Sequence, residues 1–453
     1  MSLKSVFGYL GILMEISSVF ASLPIFVGLY YHEDVYSFFI TAMSFLYIGI
    51  LLEKMCGFEE ELTVFDALRL TALTFLMLSL IGMIPYLFYG MSLLNSFFES
   101  VSGFTTTGLT VFKNLANAPK AILFWRSLTQ WIGGLGIVIV FLSVIRSSSL
   151  SALNLFSSQN LDRNISYDIR SIARRVLNIY LFYTTLGFAI YLFASKNVFK
   201  AINYTFTAIS TGGFQISTSY PKSLGMLIAG IIVMILGSIS FIIHDEFLRG
   251  KFKRAIKSSE TKYLFVFLAI LSILSYIKTK NIVFSTFQIV SALTTTGFQC
   301  FNLLFLPGFV FLLVLLAMII GGQENSTAGG IKINRFVSII KSQGLVIKRL
   351  ASPKRSVILM KMNGKVIEDK ELISVYAFVF AYLLISTLSI LLMTFYNISL
   401  KNAVFQTLSA IGTVGLSTMS LITLPALLKM DLIVLMLLGR LEIFPLMVLA
   451  VRR

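Results

Sequence analysis

Apolar stretches near the length a bilayer requires recur along almost the whole chain, and this recurrence limits the possible folds more than any other feature. They fall at 6–31 and 36–52, then at 67–89, 121–145, 176–194, 224–247, 263–277, 309 onward, 373–395 and 422–451. With 57% hydrophobic residues among 453, no single water-soluble core could bury the apolar side chains, so part of the solvent must be lipid. A β-barrel would show short alternating segments, and none are present. The expected fold class is an all-α polytopic membrane protein.

The formal charge of +17 raises the question of nucleic acid, but the distribution answers it. Basic residues concentrate in three linkers: Arg146, Arg163, Arg170, Arg174 and Arg175; then Arg249, Lys251, Lys253, Arg254 and Lys257; then Lys332 through Lys341, Lys348, Arg349, Lys354, Arg355, Lys361 and Lys365 to Lys370. Only scattered lysines such as Lys113, Lys196, Lys280 and Lys401 lie in the alternate loops. That is the positive-inside bias of a multi-pass protein, not a nucleic-acid footprint. Cys56 and Cys300 are expected on opposite sides of the membrane, out of disulfide reach. Lys4 before an apolar run faintly resembles a signal peptide, but the run continues past Glu15 and Pro24 to Tyr31, which fits a spanning helix better.

After the first two spans a unit repeats four times: long span, shorter semi-polar segment, Gly/Thr-rich loop, long span. The short segments are near 95–104, 201–209, 283–293 and 403–410, too brief to cross hydrocarbon, and read as re-entrant helices. The loops are Thr105-Thr106-Thr107-Gly108-Leu109, Ser210-Thr211-Gly212-Gly213-Phe214, Thr294-Thr295-Thr296-Gly297-Phe298 and Gly412-Thr413-Val414-Gly415-Leu416. Thr-x-Gly followed by Leu or Phe thus closes at Gly108, Gly213, Gly297 and Gly415, with separations of 105, 84 and 118 residues. Each interval holds two spans, so the chain returns to one face each time. All four loops are expected to open outward and surround one axis, with the basic linkers cytoplasmic. The expected organisation is a two-helix region at 1–60 and repeats at 61–150, 151–255, 256–350 and 351–453.

Such loops suit a cation. Backbone carbonyls replace the ion's hydration shell, glycine permits the backbone angles that aim them, threonine adds a hydroxyl at the inner end, and the preceding helix points its negative end at the cavity. Small residues also aid helix packing, but four copies in the same setting exceed that explanation.

With these motifs the sequence resembles the Trk/Ktr/HKT potassium transporter superfamily, within it the TrkH-type subunits. The resemblance covers nearly the whole chain and includes Trp125-Arg126-Ser127, Gln130-Trp131-Ile132-Gly133-Gly134-Leu135-Gly136, Ser326-Thr327-Ala328-Gly329-Gly330-Ile331-Lys332 and Gly439-Arg440-Leu441-Glu442-Ile443. It implies a pseudo-fourfold arrangement of repeats, each a first span, pore helix and second span. It also implies potassium coordination by Thr106, Thr107, Thr211, Gly212, Thr295, Thr296, Thr413 and Val414, with Gly108, Gly213, Gly297 and Gly415 closing the motifs. Further implications are a homodimer with one pore per protomer and a cytosolic nucleotide-binding regulator of the TrkA type. Potassium is the substrate, no cofactor is expected covalently bound, and nucleotide is expected only on the regulator. Sodium-permeable relatives typically carry serine at the first filter glycine, so Gly108 implies potassium preference.

The second span of the third repeat breaks after Ile320 into Gly321-Gly322-Gln323-Glu324-Asn325-Ser326-Thr327-Ala328-Gly329-Gly330. This is either a cytoplasmic turn or, with the resemblance, an intramembrane gate below the filter that takes in Gly321, Gly322, Ser326–Gly330 and Lys332. Arg440 is expected inside the last span, facing the pore near that loop and opposing leak; the alternative is a structural pairing with an acid such as Glu324. Two departures from the family stand out: Gln323-Glu324-Asn325 replace small residues, and Ser417-Thr418 follow the fourth loop without glycines.

Three rival readings remain. His244-Asp245-Glu246 could suggest a metal enzyme, but one triplet on a helix does not converge on an ion. A proton- or sodium-coupled symporter commonly binds its substrate between inverted halves, whereas these repeats share one orientation. A sodium-permeable channel of the same fold is the third.

Overall fold

The computed structural model describes residues 3–57, 64–146, 169–353, 360–362, 365–443 and 445–447. The basic residues Arg163, Lys354 and Arg355, the repeat limits at 60/61 and 150/151, and the end of the last apolar stretch at 448–451 lie outside the described residues.

Among the described residues the chain is helical, with one short hairpin. In order the helices are α1 (Leu3–Tyr31), α2 (Tyr36–Cys56), α3 (Val64–Gly82), α4 (Ile84–Phe88), α5 (Leu93–Phe104), α6 (Lys120–Arg146), α7 (Ile169–Ser195), α8 (Val198–Ile209), α9 (Leu224–Ser238) and α10 (Phe241–Leu248). Then come α11 (Phe252–Lys257), α12 (Ser259–Thr279), α13 (Ile282–Leu293), α14 (Gly308–Ile320), α15 (Ile333–Leu350), strands β1 (Met360–Met362) and β2 (Lys365–Ile367), α16 (Asp369–Phe395), α17 (Leu400–Ile411) and α18 (Ala426–Arg440). Among the described residues six helices are long and apolar enough to cross a membrane, or seven if the bent pair α9–α10 counts as one span.

The four short helices α5, α8, α13 and α17 are 12 residues each. Their starts are written locally: Ser92, Asn197 and Asn281 accept hydrogen bonds from the backbone N–H of Asn95, Lys200 and Phe284, the usual way to satisfy a first-turn donor. One of these candidate spans precedes each short helix, and a further helix (α6, α9, α14 or α18) follows each loop. α1 and α2 form an antiparallel hairpin at the edge. Gly11 and Gly49 let their backbones approach closely enough that a β-carbon on Gly11 would sit 2.7 Å from the Gly49 carbonyl, the small-residue contact typical of membrane helices. The hairpin's turn also serves the first repeat: the Glu33 carboxylate accepts from the backbone N–H of Lys120 (2.6 Å) and Ala121 (2.8 Å). It thereby caps the positive N-terminus of α6.

Several features differ from the sequence expectation. The stretch 224–247 is not one straight span: α9 and α10 meet at 101°. The bend is held from the third repeat, where Gln323 Oε1 accepts from Ser240 N (3.0 Å), Gln323 N donates to Ser238 O (3.1 Å) and Phe241 N donates to Asn325 O (2.9 Å). These are the polar residues that depart from the family pattern, and they satisfy backbone groups that the bend frees from helical pairing. The last span, expected over 422–451, ends its helix at Arg440, because Glu442 and Ile443 take left-handed backbone angles (φ 57° and 66°). Arg440 therefore closes α18 rather than lying within it. The third basic linker contains the amphipathic α15 and an antiparallel hairpin pairing Met360 with Ile367.

Candidate functional site

The four Thr-x-Gly loops have one backbone. The threonines Thr106, Thr211, Thr295 and Thr413 sit at φ 52°, 52°, 54° and 48°, and Gly108, Gly213, Gly297 and Gly415 at 88°, 72°, 82° and 86°. In each, the x residue donates its N–H back to the short helix: Thr107 to Ser102, Gly212 to Thr207, Thr296 to Ser291 and Val414 to Ser409, at 2.8–3.0 Å. A left-handed angle is costly for a threonine; its repetition four times means the surrounding packing imposes it.

The loops touch in cyclic order. A β-carbon on Gly108 would collide with the carbonyl oxygen of Gly212, one on Gly213 with that of Thr296, one on Gly297 with that of Val414, and one on Gly415 with that of Thr107. Loop one meets loop two, two meets three, three meets four and four returns to one, so the loops close a single ring. Only glycine fits between consecutive x carbonyls. Every residue from Thr105 to Thr107, Ser210 to Thr211 and Thr294 to Thr296 is buried. Among the described residues, the buried Thr106 hydroxyl has no hydrogen-bond partner, an oxygen left available at the threonine end of the ring.

The loop 321–332 lies across that end. Gly329 N donates to Thr295 Oγ1 (2.7 Å), Gly330 N to Gly412 O (3.1 Å), and Thr211 Oγ1 meets Thr327 Oγ1 (3.3 Å). Thr327 Oγ1 also reaches the carbonyls of Ile209 (3.0 Å) and Gly237 (2.9 Å). Contacts with loops two, three and four are thus made by one segment. Gly321 permits its entry, since a side chain there would strike Gly329 O and its φ is 73°; Gly322 and Ala328 pack against each other, and Ser326 Oγ donates to Gln323 O (2.6 Å). The segment is therefore tucked against the threonine end of the ring.

Arg440 completes this layer from the first repeat's side. Its Nη1 donates to Thr327 O and its Nη2 to Gly133 O, both at 2.7 Å. Arg440 thus lies beside the 321–332 loop; among the described residues it makes no ion pair with Glu324, which faces Arg335 (3.5 Å) and Asn334 (3.0 Å). Lys332, 5% exposed, bonds Glu442 (3.0 Å), which also takes Arg335 (2.6 Å). This cluster ties the end of the loop to α15 and to the turn after α18.

Behind the ring lie residues that local sequence reasoning did not assign. Glu99 on α5 and Arg126 on α6 form a fully buried ion pair (2.8 Å). Arg126 also donates to Gln215 O (2.8 Å) and Thr110 Oγ1 (3.1 Å) and stacks over Phe214 at 4.0 Å. Glu99 accepts from Val111 N (3.0 Å). The pair thus braces the exits of loops one and two. Glu99→Ala leaves a buried guanidinium without its counter-charge and is expected to cost about 3–5 kcal/mol. A fall in the thermal midpoint of the detergent-purified protein checks it, with Glu99→Met/Arg126→Met losing less. On the same side Ser417 and Thr418 accept from Gln406 Nε2 (2.8 and 3.4 Å), which bolts the fourth loop's exit to α17 without glycine. A cavity of about 600 Å³ opens there, lined by Ser219, Lys222, Gln299, Asn302, Ser417 and Thr418 among others.

The His244 triplet has a structural setting: His244 Nε2 bonds Leu236 O (2.9 Å), its ring packs on Tyr183 at 4.0 Å, and Asp245 pairs with Arg249 (2.8 Å). Cys56 and Cys300 are both free thiols.

Fold and site together define a multi-pass α-helical membrane protein built around one axial ring of re-entrant loops. The chain belongs to the TrkH family, described as cation transport protein, whose sequence profile matches residues 37–277 and 269–453. An uncharacterized cation transporter of Methanocaldococcus jannaschii is 33% identical over 421 residues, 92% of this chain and 88% of that protein. The Trk system potassium uptake protein TrkH of Vibrio parahaemolyticus is 29% identical over 452 residues, 93% of this chain and 92% of that one. The crystal structure of the potassium transporter TrkH from that organism matches with a TM-score of 0.89 at 27% identity, covering 100% of this chain and 99% of the other. These relatives are named as transport proteins, not enzymes.

Proposed function

We propose that the chain takes up potassium across the cell membrane through the ring, with the ion moving down its own gradient. The observation that carries this reading is the cyclic contact of Gly108, Gly213, Gly297 and Gly415 with the carbonyls of Gly212, Thr296, Val414 and Thr107. Four carbonyls brought into one ring replace part of a dehydrated cation's water shell. The buried Thr106 hydroxyl is free to join them, and four helix C-termini direct negative potential at the site. Thr106, Thr107, Thr211, Gly212, Thr295, Thr296, Thr413 and Val414 coordinate potassium, and the closing glycines set the geometry. The relatives named for potassium uptake support that cargo.

In this reading the 321–332 loop is the gate, held shut by Thr327, Gly329, Gly330 and Arg440 and anchored by Lys332. The filter faces outward and the basic linkers face the cytoplasm. The four repeats run 61–150, 151–255, 256–350 and 351–453 after the pair of N-terminal helices. The chain works as a homodimer with a cytosolic nucleotide-binding regulator of the TrkA type; it binds no nucleic acid and no cofactor covalently, and nucleotide acts only on the regulator.

The test is reversal potential and flux in proteoliposomes. Potassium current that reverses at the potassium equilibrium potential, indifferent to imposed proton or sodium gradients, is expected. Equal sodium permeability would mean a non-selective cation channel, and dependence on proton or sodium co-movement would mean a symporter; either overturns the reading.

A further inference from the structure

Two exceptions to the repeat pattern meet in space. At the x position three loops carry a side chain (Thr107, Thr296, Val414), whereas the second carries Gly212. The space its side chain would fill is taken: a β-carbon on Gly212 would fall inside the carboxamide of Gln130, 2.5 Å from Oε1 and 2.8 Å from Nε2. Gln130 belongs to α6, in the first repeat, and is fully buried. Its Nε2 donates to the Gly212 carbonyl (2.7 Å) and its Oε1 accepts from Phe214 N (3.0 Å).

The register of the second spans shows that Gln130 is the odd member of its set. Gly133, Gly237 and Gly439 occupy matching places, each with its would-be β-carbon against the last carbonyl of a short helix: Phe104, Ile209 and Ile411. Three residues before them stand Gln130, Met234 and Met436, all buried. The helix with an amide at this place faces the loop without a side chain.

The amide also touches one of the four ring oxygens. Among the described residues no donor reaches the carbonyls of Thr107, Thr296 or Val414, whereas Gly212 O already receives an N–H. An oxygen engaged in a hydrogen bond has less negative potential to offer a cation, and conduction requires binding strong enough to admit the ion and weak enough to release it. We infer that Gln130 is a specificity-determining positioning residue, which stands in for the side chain Gly212 lacks and sets the field of that one oxygen. The inference rests on the reading of the ring as a potassium filter.

Gln130→Met keeps the volume, copies the matching residues of α9 and α18, and removes both hydrogen bonds. At equal membrane expression it is expected to change the potassium-to-sodium permeability ratio by at least about fivefold, roughly 1 kcal/mol of selectivity. Gly212→Ala alone should cut flux at least about tenfold, because its methyl meets the carboxamide. Gln130→Ala/Gly212→Thr, which gives loop two the composition of its neighbours, should recover flux while keeping an altered ratio. A wild-type ratio in Gln130→Met, full flux in Gly212→Ala, or a double variant no better than Gly212→Ala would each overturn the inference. If the wild-type chain carries no selective potassium current, it is the filter reading that fails; selective wild-type current with an unmoved ratio in Gln130→Met defeats this inference alone.

Discussion

Gly297→Ala is expected to abolish measurable potassium flux while leaving expression and membrane insertion intact. Gly297 sits at φ 82°, and a β-carbon there collides with the carbonyl oxygen of Val414 in the next loop. Two penalties combine. The left-handed backbone costs a β-carbon about 1–2 kcal/mol, and the collision must be relieved by moving either the Val414 carbonyl or the loop itself. Because that carbonyl is one of the four ring oxygens, relief and loss of coordination are the same event. At 1.4 kcal/mol per tenfold, a disturbance of about 3 kcal/mol at the ring corresponds to roughly a hundredfold loss of ion affinity there. Isotopic potassium uptake into proteoliposomes measures it. Since the glycine is a ring member and not a core residue of a spanning helix, the variant's detergent elution profile should match wild type. Flux within a few-fold of wild type would show that the ring does not carry the ion.

Arg440→Ala should do the reverse and raise basal flux. The guanidinium holds Thr327 O and Gly133 O at 2.7 Å each, joining the 321–332 loop to the first repeat, the side on which no other ring contact is found among the described residues. Hydrogen bonds from a charged donor contribute about 1.5–3 kcal/mol each, so losing both destabilises the tucked loop by about 3 kcal/mol or more. If the untucked loop opens the passage, its population rises on the order of a hundredfold. Leak of potassium from loaded vesicles without regulator is the readout. Arg440→Lys, which retains the charge but not the two-pronged reach, should fall between. Unchanged leak in Arg440→Ala at equal reconstitution would reject the loop as the barrier.

Much of this arrangement could be read from the sequence because the relevant signals are local. Ser92, Asn197 and Asn281 mark helix starts by themselves, and Thr-x-Gly encodes its own turn through the glycine. Four copies separated by pairs of spans then require the loops to share one face. What the sequence hid was set by contacts between distant segments. The bend between α9 and α10 has no proline or glycine pair at its corner; Gln323, 83 residues beyond Ser240 in the chain, supplies the hydrogen bonds that make it affordable. Arg440 invited a search for an acidic partner, whereas its partners are two backbone carbonyls, which any residue type provides. Glu99 and Arg126 are 27 residues apart and on separate helices, and Glu33 caps a helix 87 residues downstream. No periodicity signals such pairs. Gln130 was visible within a motif, but its role depends on an empty position in a different repeat.

Whether the four loops hold a cation between them can be seen by anomalous diffraction from crystals grown in rubidium or thallium in place of potassium. Anomalous density is expected on the axis enclosed by Gly108, Gly213, Gly297 and Gly415, beside the carbonyls of Thr107, Gly212, Thr296 and Val414. Crystals in which that axis is bare, while ions bind elsewhere in the bundle, would contradict it.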